Sequence, residues 1–336
     1  MSYSISVINL KALKNNVKKI KSKICENVKF CAVVKSDAYG HGLSETAIAI
    51  ENQVDFFAVS FLEEGLILRY SGIKKPILIL IPLKNSELFI AERYNLSVSL
   101  ASVKQAEFIQ NNKIKVKVHI AVNTGMNRLG VDALEEFKNL YSVLGKIRVQ
   151  GVFSHLFSEN RETCEKQFLL FKKFSEYAKK VNSNVICHIC ASNFLFLDKS
   201  YQLDMVRVGI AMYGYSPAKN VKTTPCMKIY AEKLADRTLQ KNQNVLYGNF
   251  VLQKSEKVSI IKYGYADGAP RVSNLTLNNR CMDISCVKQS KKSNIVMDDA
   301  LKIAKQLGTI PYEVLVSFSK RSNRIYRDYE NNIGEK

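Results

Sequence analysis

From residue 29 to about 214 the chain alternates short runs rich in β-branched residues with longer amphipathic stretches, and this rhythm constrains its fold most. Candidate strands fall at 29–35, 54–60, 76–82, 96–100, 115–122, 147–153, 185–189 and 205–213. Helical patterning separates them, for example at 42–52, 61–71, 102–112, 133–145 and 160–181, and a basic helix near 9–23 precedes the first strand. Eight strands with intervening helices specify a parallel (β/α)₈ TIM-type barrel, whose catalytic groups belong at the carboxyl ends of the strands. Beyond Pro217 the rhythm breaks. Segments 226–233, 235–240, 245–253, 256–262, 281–287 and 313–319 pattern as short strands, with one helix at 298–307. The expected organisation is α/β: an N-terminal barrel domain over 1–217 and a closely packed, mostly β C-terminal domain over 218–336.

Composition narrows the setting. With 336 residues and 46% apolar content the chain can bury a large core. Its longest strongly apolar run, Pro76 to Pro82, is too short to cross a bilayer, so no membrane partner is expected. Residues Met1 to Ile5 show neither a basic n-region nor an apolar h-region, which points to a cytoplasmic protein. A net charge of +20 raises nucleic-acid binding as a reading, but the lysines and arginines are dispersed along the helices rather than interleaved with aromatics. A solvated basic surface fits better, with no specific nucleic-acid partner. The eight cysteines, at 25, 31, 164, 187, 190, 226, 281 and 286, read as free thiols. Cys187-His188-Ile189-Cys190 lacks a second ligand pair, and on a strand its alternate side chains face opposite ways, so no metal site is expected.

Chemistry concentrates at strand ends. Lys35 closes the first strand in Ala32-Val33-Val34-Lys35-Ser36-Asp37-Ala38-Tyr39-Gly40-His41-Gly42. A strand-end lysine commonly snorkels to solvent. A desolvated one is instead a nucleophile that can form a Schiff base with an aldehyde cofactor, which makes pyridoxal phosphate (PLP) the first cofactor to consider. Tyr39, in the following turn, can place its hydroxyl on a phosphate. Arg128 follows the fifth strand in Asn123-Thr124-Gly125-Met126-Asn127-Arg128-Leu129-Gly130 and can offer its planar fork to a carboxylate or phenolate. His155 ends the sixth strand. In Met205-Val206-Arg207-Val208-Gly209-Ile210, the backbone N–H groups of Gly209 and Ile210 can cradle a phosphate.

The Lys35 segment closely resembles the PLP-lysine signature of alanine racemases, and matching motifs run in the family's order from about residue 3 to 327. The resemblance implies a homodimer that interconverts L- and D-alanine, with D-alanine feeding peptidoglycan synthesis. It implies that Lys35 holds PLP and serves one face of Cα. Tyr247, in Leu246-Tyr247-Gly248, reaches the other face from the partner subunit. Its hydroxyl must ionise well below a pKa of about 10, each unit needing roughly 1.4 kcal/mol of help that His155 can partly supply. By the same resemblance Ser192 binds phosphate, and Arg128 contacts the cofactor's phenolic oxygen and the substrate carboxylate. His155 and His188 orient Tyr247 and Arg207, and the Met282 backbone touches the carboxylate. Arg207 would face the pyridine nitrogen and, being only a donor, keep it unprotonated.

Some positions depart from the family. Ala121 stands where many members carry a modified lysine that steers Arg128, and Asn123 replaces an aspartate. The expected support for Arg128 is therefore an anion or Asn123. Lys320 occupies the place of a phosphate-contacting tyrosine, and the intervals from Gly268 to Cys281 and from Val287 to Met297 look shortened. Rival readings are a racemase of serine or broader range on the same fold, and a non-catalytic PLP-binding protein. The latter is a single barrel, which the tail bearing Tyr247 argues against.

Overall fold

The computed structural model describes residues 4–145, 148–158, 160–195, 197–217, 221–247, 250–273, 275–277, 280–290 and 294–328. Its centre is an eight-stranded parallel sheet built from β2 (Lys29–Val33), β3 (Phe56–Val59), β4 (Ile77–Ile79), β5 (Ser97–Leu100), β6 (Lys117–Ala121), β7 (Val149–Phe153), β8 (Ile186–His188) and β9 (Met205–Val208). Every strand expected between residues 29 and 213 forms. Each is largely buried, because helices cover the outer face and side chains fill the inner one. Strand β9 pairs with β2, bringing Arg207 opposite Cys31. Across the remaining seam the Asp204 and Arg207 N–H groups donate to the Cys187 and Cys190 carbonyls at 3.1 and 3.0 Å, so the barrel is nearly closed.

The helices follow their amphipathic signals. Helix α1 (Leu10–Lys21) starts at Asn9, whose side chain accepts from the Ala12 N–H at 2.8 Å, and ends on Lys18, Lys19 and Lys21, which suit the negative end of its dipole. It buries Leu13, Val17 and Ile20. Helices α2 (Leu43–Ile50), α3 (Leu62–Tyr70), α5 (Val103–Asn111), α6 (Leu134–Leu144) and α7 (Arg161–Val181) stand where the patterning puts them. Helix α4 (Asn85–Arg93) is additional; the Glu87 carboxylate accepts from the Lys84 N–H at its start. None of the described helices is long and apolar enough to cross a membrane.

The rest of the chain forms two smaller sheets. Strand β1 (Ser4–Asn9), absent from the expected elements, pairs antiparallel with β10 (Met227–Ala231) and parallel with β15 (Ser322–Arg327), while β14 (Ile295–Met297) flanks β10. Strands β11 (Lys233–Leu239), β12 (Glu256–Ile261) and β13 (Ser285–Lys288) make the other sheet. Helix α8 (Ala300–Leu307) lies close to the expected 298–307. Two expected strands fail. Segment 313–319 lies mostly in helix α9 (Pro311–Phe318), since Pro311 fits the first helical turn and Val314, Leu315 and Phe318 bury one helical face. Over 245–253 only an Asn244–Val251 bridge forms, because Leu246 takes a left-handed φ of 54° and turns the chain. Gly248 lies outside the described residues. Ile8, Ile229, Met297, Val314 and Phe318 form a second core, and Leu10 and Tyr312 pack against both cores.

Candidate active site

A cavity of about 1040 Å³ opens at the carboxyl ends of the barrel strands. Strand β2 delivers Lys35 to it through a left-handed turn in which Ser36, Asp37, Ala38 and Tyr39 have φ of 53–54°. Side chains disfavour this region by roughly 1 kcal/mol per residue, so the surroundings must hold the turn. The Ser36 N–H donates to Glu64 Oε1 at 2.6 Å, and the Leu43 N–H to Asp37 Oδ1 at 2.8 Å. From β15, Arg324 ion-pairs with Asp37 and donates through Nε to the Gly40 carbonyl at 2.9 Å. The second sheet thus clamps the turn that aims Lys35. Burial, then the charge of Arg128, lowers the Lys35 pKa, with Glu64 opposing, and so favours the neutral, nucleophilic amine.

The opposite wall centres on Arg207, which is only 5% exposed. Its Nη1 donates to His188 Nδ1 at 2.6 Å and to the His188 carbonyl at 3.1 Å. Its Nη2 donates to the carbonyls of Ser154 and Ile189 and to His155 Nδ1 at 2.7, 3.3 and 3.3 Å. The Phe153 ring lies 5.6 Å from the guanidinium carbon. Burial, the largest cause, and the neighbouring Arg207 charge push His155 down to about 3, and the same two causes hold His188 well below the usual imidazole range. Both rings are therefore neutral acceptors toward Arg207. His188 spends both nitrogens, on Arg207 and on His119 Nδ1 at 2.8 Å, which leaves neither for a metal.

Between these walls lies an anion cradle. Ser192 Oγ accepts from the Gly209 N–H at 3.0 Å, and Tyr39 closes over the same glycine. A Cβ on Gly209 would stand 2.6 Å from the Tyr39 hydroxyl, so only glycine admits that approach. Burial raises the Tyr39 pKa and keeps its hydroxyl a donor. Ile210 completes the cradle. Lys35, Arg128 and Arg207 face the cavity, whereas Glu313 is the only carboxylate among its described lining residues. A lysine of lowered pKa beside hydroxyl and backbone donors suits an aldehyde carrying a phosphate, so the residues present fit PLP.

Among the residues singled out in the sequence, Lys35, Tyr39, Arg128, His155, Ser192, Arg207, Gly209 and Ile210 line this cavity. Tyr247 and Met282 do not; they are 68% and 54% exposed. Asn123 does not hold Arg128. Its Oδ1 accepts from the Gly125 and Asn127 N–H groups, and its Nδ2 donates to Asn127 and Asp132. The short amide is consumed by its own loop.

Two family models cover most of the chain: the alanine racemase N-terminal domain over residues 8–217 and the alanine racemase C-terminal domain over 226–326. The chain belongs to the alanine racemase family. An alanine racemase of Thermodesulfovibrio yellowstonii is 34% identical over 95% of this chain and 96% of its own length. The alanine racemase structure from Clostridium difficile 630 superposes with a TM-score of 0.89 at 28% identity, covering 97% of this chain and 96% of that one. A Bartonella henselae alanine racemase with covalently bound pyridoxal phosphate shares the fold, with a TM-score of 0.85 at 23% identity, 97% of this chain and 100% of that one. As a member of this isomerase family, the chain takes alanine racemisation as its coarse activity.

Sequence reasoning missed Glu64, His119, Tyr312 and Arg324. His119 had a legible signal: a histidine two residues before Ala121 on one barrel strand occupies the same inward phase. Arg324 had none, since its reach to Asp37 depends on β15 pairing with β1.

Proposed function

We propose that this alanine racemase family member is PLP-dependent and moves the alanine α-proton between two bases, Lys35 and the partner subunit's copy of Tyr247. The observation that carries this reading is the convergence of Lys35, the Tyr39–Ser192–Gly209–Ile210 cradle and Arg207 on one cavity. Lys35 would hold the aldehyde and the cradle the phosphate, with Arg207 donating to the ring nitrogen. Bound PLP would supply an electron sink that lets the substrate's Cα–H bond ionise. Lys35 would take or return that proton on one face. Arg128 would hold the substrate carboxylate, aided by the backbone at Met282 of the second subunit.

The reading needs a dimer, because one residue cannot serve both faces of a planar carbon. The exposure of Tyr247 and Met282, both outside the cavity of their own chain, fits residues offered to a second copy. We take the division at 1–217 and 218–336 as the working one, the second part lending these residues to the partner's cavity. His155 accepts from Arg207 at Nδ1, so its proton sits on Nε2, available to Tyr247. The product, D-alanine, would enter peptidoglycan synthesis in the cytoplasm.

Borohydride reduction of the purified protein followed by peptide mapping should place the pyridoxyl group on Lys35, and Lys35→Ala should abolish the mark. A pyridoxyl group on another lysine would sink the assignment. Mixing Lys35→Ala with Tyr247→Phe protomers should restore activity that neither homodimer has. Verified heterodimers without activity would rule out the trans-acting tyrosine.

A further inference from the structure

A line of hydrogen bonds leaves the cavity through the barrel interior. Beyond His188, the His119 Nε2 lies 3.2 Å from Gln150 Oε1, which also accepts from Ser97 Oγ at 2.7 Å. His119 and His188 are fully buried. Barrel interiors are ordinarily filled by branched apolar side chains, so a polar line here needs a reason. It runs from the carboxyl ends of β8 and β9 to the amino ends of β7 and β5, where Gln150 and Ser97 sit.

Its direction is forced. A guanidinium only donates, so His188 Nδ1 must accept and the His188 proton must lie on Nε2. That proton is given to His119 Nδ1 at 2.8 Å, so the His119 proton lies on Nε2 and is given to Gln150. The backbone is shaped for this contact. His119 on β6 stands in register with Gly151 on β7, and β7 separates it from β8. A Cβ at Gly151 would lie 2.2 Å from His119 Nδ1 and 2.5 Å from Cε1. Only a residue without a side chain lets the His119 ring lean across β7 to His188.

We propose that His119 is a positioning residue for the racemase reaction: admitted by Gly151 and anchored on Gln150 and Ser97, it accepts the His188 Nε2–H and so holds that ring where its Nδ1 accepts from Arg207. This rests on the reading that Arg207 meets the cofactor's ring nitrogen. The use of imidazoles has a physical rationale. A carboxylate behind Arg207 would neutralise it, whereas a neutral imidazole accepts the hydrogen bond and leaves the full positive charge facing the cavity. That charge is what keeps a ring nitrogen in front of it unprotonated. Were the His188 proton on Nδ1, two donors would face each other in a buried site.

The chain has four histidines, so nitrogen NMR spectra of the full-length protein with ¹³C,¹⁵N-labelled histidine can resolve each ring. His119 and His188 should both be neutral at pH 7, protonated on Nε2 and bare on Nδ1. His119→Phe leaves the His188 Nε2–H without an acceptor in a buried site, so the His188 ring resonances should move and the absorption band of the bound cofactor should shift. The kcat should fall by about tenfold with KM little changed, the size typical when a supporting hydrogen-bond partner is lost. His119→Gln, whose amide oxygen can accept, should recover the wild-type His188 ring resonances. Gly151→Ala keeps every polar group yet fills the space of the ring, and should reproduce the effects of His119→Phe. A wild-type His188 protonated on Nδ1 overturns the proposal, and this measurement needs no variant to fold. So do unchanged His188 ring resonances and an unchanged cofactor band in both His119→Phe and Gly151→Ala. A pyridoxyl mark on a lysine other than Lys35 would instead defeat the cofactor reading while leaving these tautomers as described.

Discussion

Arg207 lies on β9 with five acceptors around a buried guanidinium, whereas Arg128, on the loop after β6, is solvent-exposed and has no hydrogen-bond or ion-pair partner among the described residues. Both face the same cavity. The first is fixed before any ligand arrives, because a buried cation without acceptors would be far too costly to fold around. The second shares the cavity with Ala121, whose side chain has no polar atom, so an entering anion can set its position. One wall is preorganised for a constant occupant, and the other adapts to a transient one.

Acid should expose this difference most strongly. Three of the four histidines are buried and His155 is half-buried: desolvation, the largest cause in each, lowers His41 and His119 to about 4, His155 to about 3, and His188 well below the usual value. Between pH 6.5 and about 4 the unfolded chain takes protons that the folded chain refuses. Stability is therefore present above pH 6.5 and lost as pH falls. Each histidine contributes at most about 1.4 kcal/mol per pH unit, so the four together should remove up to roughly 5.5 kcal/mol per unit. Urea unfolding at a series of pH values measures this slope, and His119→Gln should flatten it by about a quarter. A flat profile from pH 6.5 to 4.5 would show that the wall is not held by neutral imidazoles.

Arg207→Leu is the next largest expected effect. It strands the carbonyls of Ser154 and Ile189 and the Nδ1 acceptors of His188 and His155, and should cost roughly 3 kcal/mol in the urea midpoint analysis. Retained stability would mean that those acceptors are satisfied some other way. Arg128→Lys should be the mildest. Its stability change should stay within about 0.5 kcal/mol, while loss of the planar fork should raise the KM for alanine severalfold with the cofactor spectrum unchanged. A destabilised Arg128→Lys protein, or an altered cofactor band, would remove the distinction between the two walls.

The sequence carried the barrel and most of the cavity, for a common reason: strand ends and helix faces are written in local periodicity. Lys35, Arg128, His155 and Arg207 could be placed because a parallel barrel gathers the residues that follow its strands. Legibility stopped where a contact depended on elements far apart in the chain. Strand β1 is six residues long, and its burial alternates as a half-exposed strand should, yet nothing local shows that its partners lie at 227–231 and 322–327. In segment 311–318 strand-like residues form a helix, since Val314, Leu315 and Phe318 find the second core only along a helical face.

By itself the sequence determined the eight barrel strands in their order, the lysine at the first barrel strand and the charge of the cavity, all of which follow from side-chain type and spacing. Only the tertiary structure decided that Arg324 clamps the Lys35 turn, that Asn123 serves its own loop instead of Arg128, and that His119 crosses Gly151 to meet His188. Those are matters of register and distance between segments up to 287 residues apart, and hydrogen bonds act over a few ångströms in space regardless of separation along the chain.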